Sequence, residues 1–231
     1  MIKLFKKYEM FFCISLIVIY ILVNSFCINN FGVYDFRSLI VNTLFSICLV
    51  FIIVKLNRIK YYGLVGVKNS KRFLYFIPLF VIISVNLWSG ININNNKSEI
   101  IFYMLNMFNV GFIEEIIFRG FLFKMMEKDN VSTAIIVTSI TFGIGHIINL
   151  LNGSELISTL FQILSAISIG YLFVIVFYNG NSLIPCIITH ALFNAFSVFY
   201  VEDSLSVFIN LFLIIIPLVY ARYINKNVKL N

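Results

Sequence analysis

The sequence predicts an all-α membrane protein, a polytopic transmembrane helical bundle of about eight spans. Three observations support this class. Hydrophobic residues make up 61% of the 231 residues and charged residues 12%, whereas soluble domains are about 45–50% apolar and about 25% charged. The 26 Phe and 12 Tyr residues exclude a disordered chain, because disordered segments are poor in aromatic residues. The apolar residues also form long runs, which a soluble globule of this size could not bury.

The apolar runs are separated by short stretches of Asn, Gly and Ser, which favour turns. A helix needs roughly 20 residues to cross a hydrocarbon core about 30 Å thick. Eight runs come close to this length, near residues 10–28, 38–54, 73–89, 100–123, 131–149, 156–178, 183–200 and 204–221.

The chain divides into three parts by content. Residues 1–97 contain the first three spans and no motif that we recognise. The first run resembles a signal peptide, but no small-residue cleavage site follows it, so we expect an uncleaved span. Residues 98–200 contain spans four to seven and nearly all the polar residues within apolar runs. Residues 201–231 contain the last span and a basic tail.

Most of the 17 Lys and Arg residues are predicted to lie on one side of the membrane. They precede span one, connect spans two and three, and follow spans four and eight. Only Arg37 and Lys97 fall on the opposite side. Because positively charged loops stay in the cytoplasm, we predict that both termini are cytoplasmic. The Ile-, Asn- and Lys-rich composition suggests an AT-rich bacterium, and hence the plasma membrane.

The net charge of +7 does not predict a nucleic-acid partner, because the basic residues sit between apolar runs and form no patch on one domain. Cys13, Cys27, Cys48 and Cys186 lie in apolar runs without a C-x-x-C motif. We therefore predict neither a disulfide framework nor a cysteine zinc site.

Three charged residues lie well inside the fourth span. A charge at the bilayer centre costs at least ~2.5–3.5 kcal/mol and normally marks function. Glu115 and Arg119 are four residues apart, so they share a helix face and can form an ion pair. Glu114 is rotated by about 100° and lacks that cation. Because a paired carboxylate is a poor base, we predict Glu114 as the reactive group and the Glu115–Arg119 pair as a structural brace.

Both histidines of the chain also lie in apolar runs. His146 follows Phe142 by four residues, and His190 precedes Asn194 by four residues. An imidazole beside a carboxylate can activate water, and a second His with an Asn can donate hydrogen bonds to an oxyanion. Together with Glu114, these residues are the parts of a hydrolytic site.

Each part also has a simpler explanation. A buried Glu–Arg pair is often structural or belongs to a transport path, a single intramembrane His often packs, and His-x-x-x-Asn can join two helices through a hydrogen bond. Their combination on three helices favours a site. A transporter is disfavoured because no paired inverted repeat or broken helix is visible.

In this order, the three segments resemble the motifs Glu-Glu-x-x-x-Arg, Phe-x-x-x-His and His-x-x-x-Asn of the CAAX protease and bacteriocin-processing (CPBP, or Abi) family of intramembrane proteases. The resemblance covers roughly residues 98–200. The matching residues are Glu114, Glu115 and Arg119, then Phe142 and His146, then His190 and Asn194.

The resemblance implies an intramembrane endopeptidase with its catalytic core in spans four to seven. Glu114 and His146 would activate water, and His190 and Asn194 would hold the oxyanion. Bacterial members are linked to bacteriocin immunity and processing and to peptide maturation. The expected partners are the lipid bilayer and a small membrane-associated peptide or protein substrate. The alternative is a non-catalytic immunity or scaffold protein that keeps the protease fold.

The family is often labelled a metalloprotease, and a Glu with two His is a ligand set that zinc accepts. If zinc binds, Glu114, His146 and His190 would hold it. The chain has no H-E-x-x-H motif, and a Glu114 ligand could not serve freely as a base. We therefore expect that no cofactor is required, with zinc as the alternative.

Overall fold

The computed structural model of the protein describes residue 5 and residues 7–67 and 76–227. Within these residues the chain is all-helical, with 80% helix and no strand. The predicted all-helical class is therefore confirmed, and the described residues include candidate membrane-spanning helices. The predicted basic positions Lys3, Lys6, Lys229 and those in 68–72, and the start of the third predicted span, lie outside the described residues.

Six helices are long and apolar enough to cross a membrane, and they match predicted spans one, two, four, five, six and eight. The two other predicted spans correspond to shorter apolar helices, which at 1.5 Å per residue do not reach about 30 Å. The count of eight full spans therefore stays a prediction. In chain order the helices are α1 (Glu9–Phe31), α2 (Phe36–Lys55), α3 (Ile77–Leu87), α4 (Lys97–Met126), α5 (Val131–Leu151), α6 (Leu156–Gly180), α7 (Ile184–Phe199) and α8 (Ser206–Asn227).

Polar caps set several helix ends. Asp35 accepts a hydrogen bond from the Arg37 backbone N–H at the start of α2, and the Arg37 side chain lowers the pKa of Asp35 to about 2, so this cap is ionised at neutral pH. Asn96 and Glu99 form a capping box at the start of α4. Asn181, with a φ of 52°, ends α6 in the left-handed region.

Helices α4 and α6 form the interior of the bundle. Helix α6 packs against α5 and α8, and α4 packs against α2 and α7. Two glycines allow the closest approaches: a Cβ on Gly111 of α4 would lie 2.7 Å from the Ala191 backbone nitrogen of α7, and one on Gly143 of α5 would lie 2.8 Å from the Ile163 carbonyl oxygen of α6. Small residues thus allow α4, with the first motif, to approach α7, with the third, and allow α5, with the second, to approach α6.

Because consecutive helices run up and down, their connections collect at two ends of the bundle. At one end, Ser25 and Asn29 of α1 donate hydrogen bonds to Asn152 after α5, over 2.7 and 2.9 Å. Asn149 of α5 donates to Gln162 of α6 over 2.8 Å at the same end. We call this end, defined by these five residues, the amide end.

The opposite end contains Arg58, Lys60, Lys124 and Lys128, and we call it the basic end. The connection 56–67 lies across it. The Gly63 carbonyl accepts a hydrogen bond from the Leu183 backbone N–H over 2.8 Å. Two further hydrogen bonds hold this connection: Ser182 Oγ donates to the Val65 carbonyl over 2.7 Å, and the Tyr61 hydroxyl donates to the Lys124 carbonyl over 2.9 Å. This connection closes the basic end.

Candidate active site

The first motif provides a buried ion pair on α4. Arg119 Nη1 lies 3.0 Å from Glu115 Oε1, and both side chains are fully buried. The guanidinium also stacks on two rings, 4.2 Å from the Phe142 centroid and 5.6 Å from the Phe173 centroid. Aromatic faces attract cations, most strongly where both are desolvated. The two carboxylates precede a π-helical stretch, Ile116–Phe123, a wide-turn geometry that is frequent at functional sites.

The third motif contacts the first through His190. His190 Nδ1 lies 2.9 Å from Glu115 Oε1. Because a carboxylate accepts, Nδ1 carries a proton, and this bond fixes the orientation of the ring. Glu115 thus joins two helices by binding both Arg119 and His190, where the sequence predicted a pair within one helix.

Glu114 lies on the other side of His190. Its Oε2 is 3.6 Å from His190 Nε2, and its side chain is 14% exposed. Its Oε1 accepts a hydrogen bond from the Tyr20 hydroxyl of α1 over 3.1 Å. Glu114 forms no ion pair with Arg119, which binds Glu115 instead. The Glu114 carboxylate is nevertheless not isolated, because Tyr20 of α1 and His190 of α7 lie beside it.

The second motif places His146 in a short 3-10 turn near the end of α5. Its Nδ1 lies 3.2 Å from the Phe142 carbonyl oxygen, one turn back. A carbonyl only accepts, so Nδ1 is the donor and Nε2 keeps its lone pair. The Phe142 ring meets both imidazoles edge-on, with centroids 5.4 Å from His146 and 5.7 Å from His190.

Two cavities meet at these side chains. The first has a volume of about 250 Å³ and is lined by Tyr20, Glu114 and residues of the amide end. The second has a volume of about 430 Å³ and is lined by His190 and by apolar side chains of α6, α7 and α8. Both cavities are lined by Phe142, His146, Gln162, Asn194 and Ser197.

Asn194 occupies the shared wall one turn after His190. Within the described part of the chain, no protein group forms a hydrogen bond with its side-chain amide. This amide is therefore available to a ligand that bridges the two cavities. The structure thus brings Glu114, His146, His190 and Asn194 around one boundary, with Glu115, Arg119 and Phe142 behind them.

The zinc alternative requires three ligands around one point. Among the described residues, no group of three His, Cys, Asp or Glu side chains could hold a metal ion. Glu114 and His190 are close, but with His146 they do not form such a group. These three residues do not fit a resident zinc ion in this arrangement.

Comparison with known families agrees with the motifs. Residues 96–196 match a family model described as Rce1-like, type II CAAX prenyl endopeptidase. The resemblance to the CAAX protease family is confirmed. The family is a protease family, which supports a peptidase at the family level. No curated protein and no solved structure matches the chain.

The match leaves out α1, and so did the sequence prediction of the site. Tyr20 was missed because it lies in an apolar run without a motif. A weak signal was present: Cys13, Tyr20 and Cys27 recur every seven residues, and all three are buried. A seven-residue repeat places residues on one helix face, and in α1 that face points into the bundle.

Proposed function

We propose that the protein is an intramembrane endopeptidase that hydrolyses a peptide bond in a small membrane-associated peptide or protein. Water activated by Glu114 and His146 is the nucleophile. The observation that supports this proposal most directly is the boundary between the two cavities. One cavity presents a carboxylate, the other an imidazole, and both present His146 and the amide of Asn194.

In the first step, Glu114 takes a proton from a water molecule while the oxygen of that water attacks the carbonyl carbon. Glu114 is partly exposed to the first cavity and does not pair with Arg119. Its Oε2 lies 3.6 Å from His190 Nε2, beyond hydrogen-bond distance, so the carboxylate can accept this proton. His146 Nε2, an acceptor, orients the same water. A peptide bound across the boundary would present its scissile carbonyl near both residues.

The attack turns the carbonyl oxygen into an oxyanion, which needs hydrogen-bond donors. The Asn194 amide is one donor. His190 is the second in its protonated form, because Nδ1 is bound to Glu115 and only Nε2 remains for the substrate. With His190 protonated, the formal charges of His190, Arg119, Glu114 and Glu115 also sum to zero. Charge balance matters at a site with little solvent.

In the second step, the C–N bond breaks and the oxyanion reforms a carbonyl as a carboxylic acid product. Glu114 returns its proton to the leaving nitrogen, which becomes an amine. The base is thereby regenerated. Tyr20 is a positioning residue in this scheme: its hydroxyl holds Oε1 of Glu114, so the carboxylate keeps one orientation through both transfers.

The protein is further proposed to reside in a bacterial plasma membrane with both termini in the cytoplasm. The distribution of basic residues supports this orientation, because Lys124, Lys128, Arg58 and Lys60 gather at one end of the bundle. We propose in the same way that these residues form the site, that the reaction needs no metal and that the partner is a peptide.

The test compares peptides in membranes from cells that express the wild type or Glu114→Gln. The substitution removes the base and keeps the size of the side chain. Glu155→Gln is the matched control, because Glu155 is an exposed carboxylate outside the cavities. We expect cleavage products with the wild type and the control, and none with Glu114→Gln. Identical profiles for all three proteins, together with a phenotype of the null strain, would favour the non-catalytic immunity or scaffold role.

A further inference from the structure

We propose that the active site opens to the non-cytoplasmic face of the membrane, so that its substrates are exported peptides or external segments of membrane proteins. This inference rests on the proposed function for its substrates. Its geometry rests on where the two cavities begin and end along the helices.

The first cavity extends from the catalytic residues toward the amide end. On α1 its lining runs from Tyr20 to Ile28, and on α5 it runs from Phe142 to Asn149, followed by Asn152 after the helix. Both stretches lead from the motif residues to the amide end. On α4 the lining reaches from Phe118 out to Tyr103, again in the direction of that end.

The second cavity runs in the same direction. Its lining on α6 begins at Ser158, beside the amide end, and stops at Phe173. It continues on α8 from Ser206 to Leu213. Glu202, an exposed residue in the connection between α7 and α8, lies at its rim. Both cavities therefore reach the surface at the end of the bundle where α1 ends and α8 begins.

The amide end is suited to contact with water and peptide. Its side chains Ser25, Asn29, Asn149, Asn152 and Gln162 carry donors and acceptors, and Asn29 and Gln162 are exposed. Lone amides are costly in hydrocarbon unless they line a wet cavity or bond to each other. Here they do bond to each other, and they border the path to Glu114.

The basic end offers no such path among the described residues. Tyr62, Phe121, Phe123 and Phe177 are nearly fully buried there, and the Tyr62 and Phe121 rings are in edge contact, with centroids 4.8 Å apart. The 56–67 connection is bonded across this layer. Because positively charged ends stay in the cytoplasm, the sealed end faces the cytoplasm and the open end faces outward.

Cysteine labelling tests the orientation without any substrate. In a Cys48→Ser background, we would place one cysteine at each end, as Ser154→Cys or Lys60→Cys; both positions are exposed and neither lines a cavity. A charged, membrane-impermeant maleimide added to intact cells is expected to label Ser154→Cys and to leave Lys60→Cys unlabelled. Inside-out vesicles should reverse the pattern. The opposite result overturns the inference.

A third variant tests the cavity itself. Gln162→Cys lies on the wall that both cavities share, and the same reagent should label it in intact cells and not in inside-out vesicles. Asn149→Cys, at the other end of the same hydrogen bond, replaces it if Gln162→Cys does not accumulate. Reaction of a detergent-solubilised sample controls for a cysteine that is simply buried. Labelling only from the cytoplasmic side, or from neither side of the membrane, overturns the inference.

The two proposals fail in different ways. Labelling should be the same in a Glu114→Gln background, because it needs no catalysis. Outward labelling without any wild-type cleavage would refute the peptidase and leave the orientation intact. Cleavage that depends on Glu114, combined with labelling only from the cytoplasmic side, would refute the outward opening and leave the peptidase intact.

Discussion

Replacing Glu115 with Gln tests the brace that connects α4 to α7. In the wild type, Glu115 Oε1 binds Arg119 Nη1 at 3.0 Å and His190 Nδ1 at 2.9 Å, and no part of the carboxylate reaches solvent. The substitution keeps the shape and removes the charge. Arg119 then remains buried beside the Phe142 and Phe173 rings without a counter-charge.

Leaving one partner of a buried pair without its counter-charge typically costs about 3–5 kcal/mol. Natural domains have free energies of unfolding of about 5–15 kcal/mol, so we expect a large drop in abundance and in unfolding midpoint in detergent. Glu127→Gln, directly after the same helix, is the control, because the pair of Glu127 with Lys124 is partly exposed. A pair nearer the surface is worth about 1 kcal/mol or less.

The double variant Glu115→Gln/Arg119→Met separates the buried charge from other effects. Removing the cation as well should restore much of the stability, because the uncompensated charge is gone. The two single costs should therefore fail to add. Cleavage should stay low in the double variant, since His190 still lacks its anionic partner. Equal losses for Glu115→Gln and Glu127→Gln, or costs that add in the double variant, would refute the brace.

Three further outcomes are expected. Tyr20→Phe should lower the rate constant of cleavage by roughly 10- to 150-fold at normal abundance, because it removes a hydrogen bond to a charged group worth about 1.5–3 kcal/mol; an unchanged rate would remove Tyr20 from the site. Asn194→Ala should reduce turnover by about two to three orders of magnitude, the usual effect of losing an oxyanion donor, with an unchanged unfolding midpoint; a loss of stability in place of turnover would point to packing. Purified enzyme should keep its activity after prolonged chelation with phenanthroline, whereas a loss that added zinc restores, with stoichiometric metal by mass spectrometry, would establish a zinc site.

Local spacing predicted those parts of the structure that depend on neighbouring residues. The Glu115–Arg119 pair follows from a separation of four residues on one helix. The long apolar runs likewise became helices close to their predicted bounds, since a helix satisfies its backbone groups within the segment. The shorter α3 and α7 show where hydropathy misleads, because apolar composition does not by itself give a helix the length to cross the membrane.

Contacts between distant helices could not be derived in this way. His190 and Glu115 are 75 residues apart, and Tyr20 and Glu114 are 94 residues apart. Such pairs depend on helix rotation and depth, which are set by side-chain packing throughout the bundle. The sequence paired His190 with Asn194 because they share a face, and gave no sign that Nδ1 of His190 is bonded to Glu115. The π-helical turns after Glu115 were also unforeseen, since the spacing argument assumed a regular α-helix.

Phe142 connects all the catalytic motifs through one side chain and one carbonyl. Its ring lies under Arg119 and in edge contact with both imidazoles, its carbonyl oxygen lies within hydrogen-bond distance of His146, and its side chain lines both cavities. A substitution here would therefore imitate the loss of the base, of the oxyanion donor or of the brace, depending on which neighbour shifts the most. Variants at Phe142 would therefore combine losses of turnover and of stability. A survey of point mutants would be expected to find Phe142 as sensitive as the catalytic residues, although it performs no proton transfer itself.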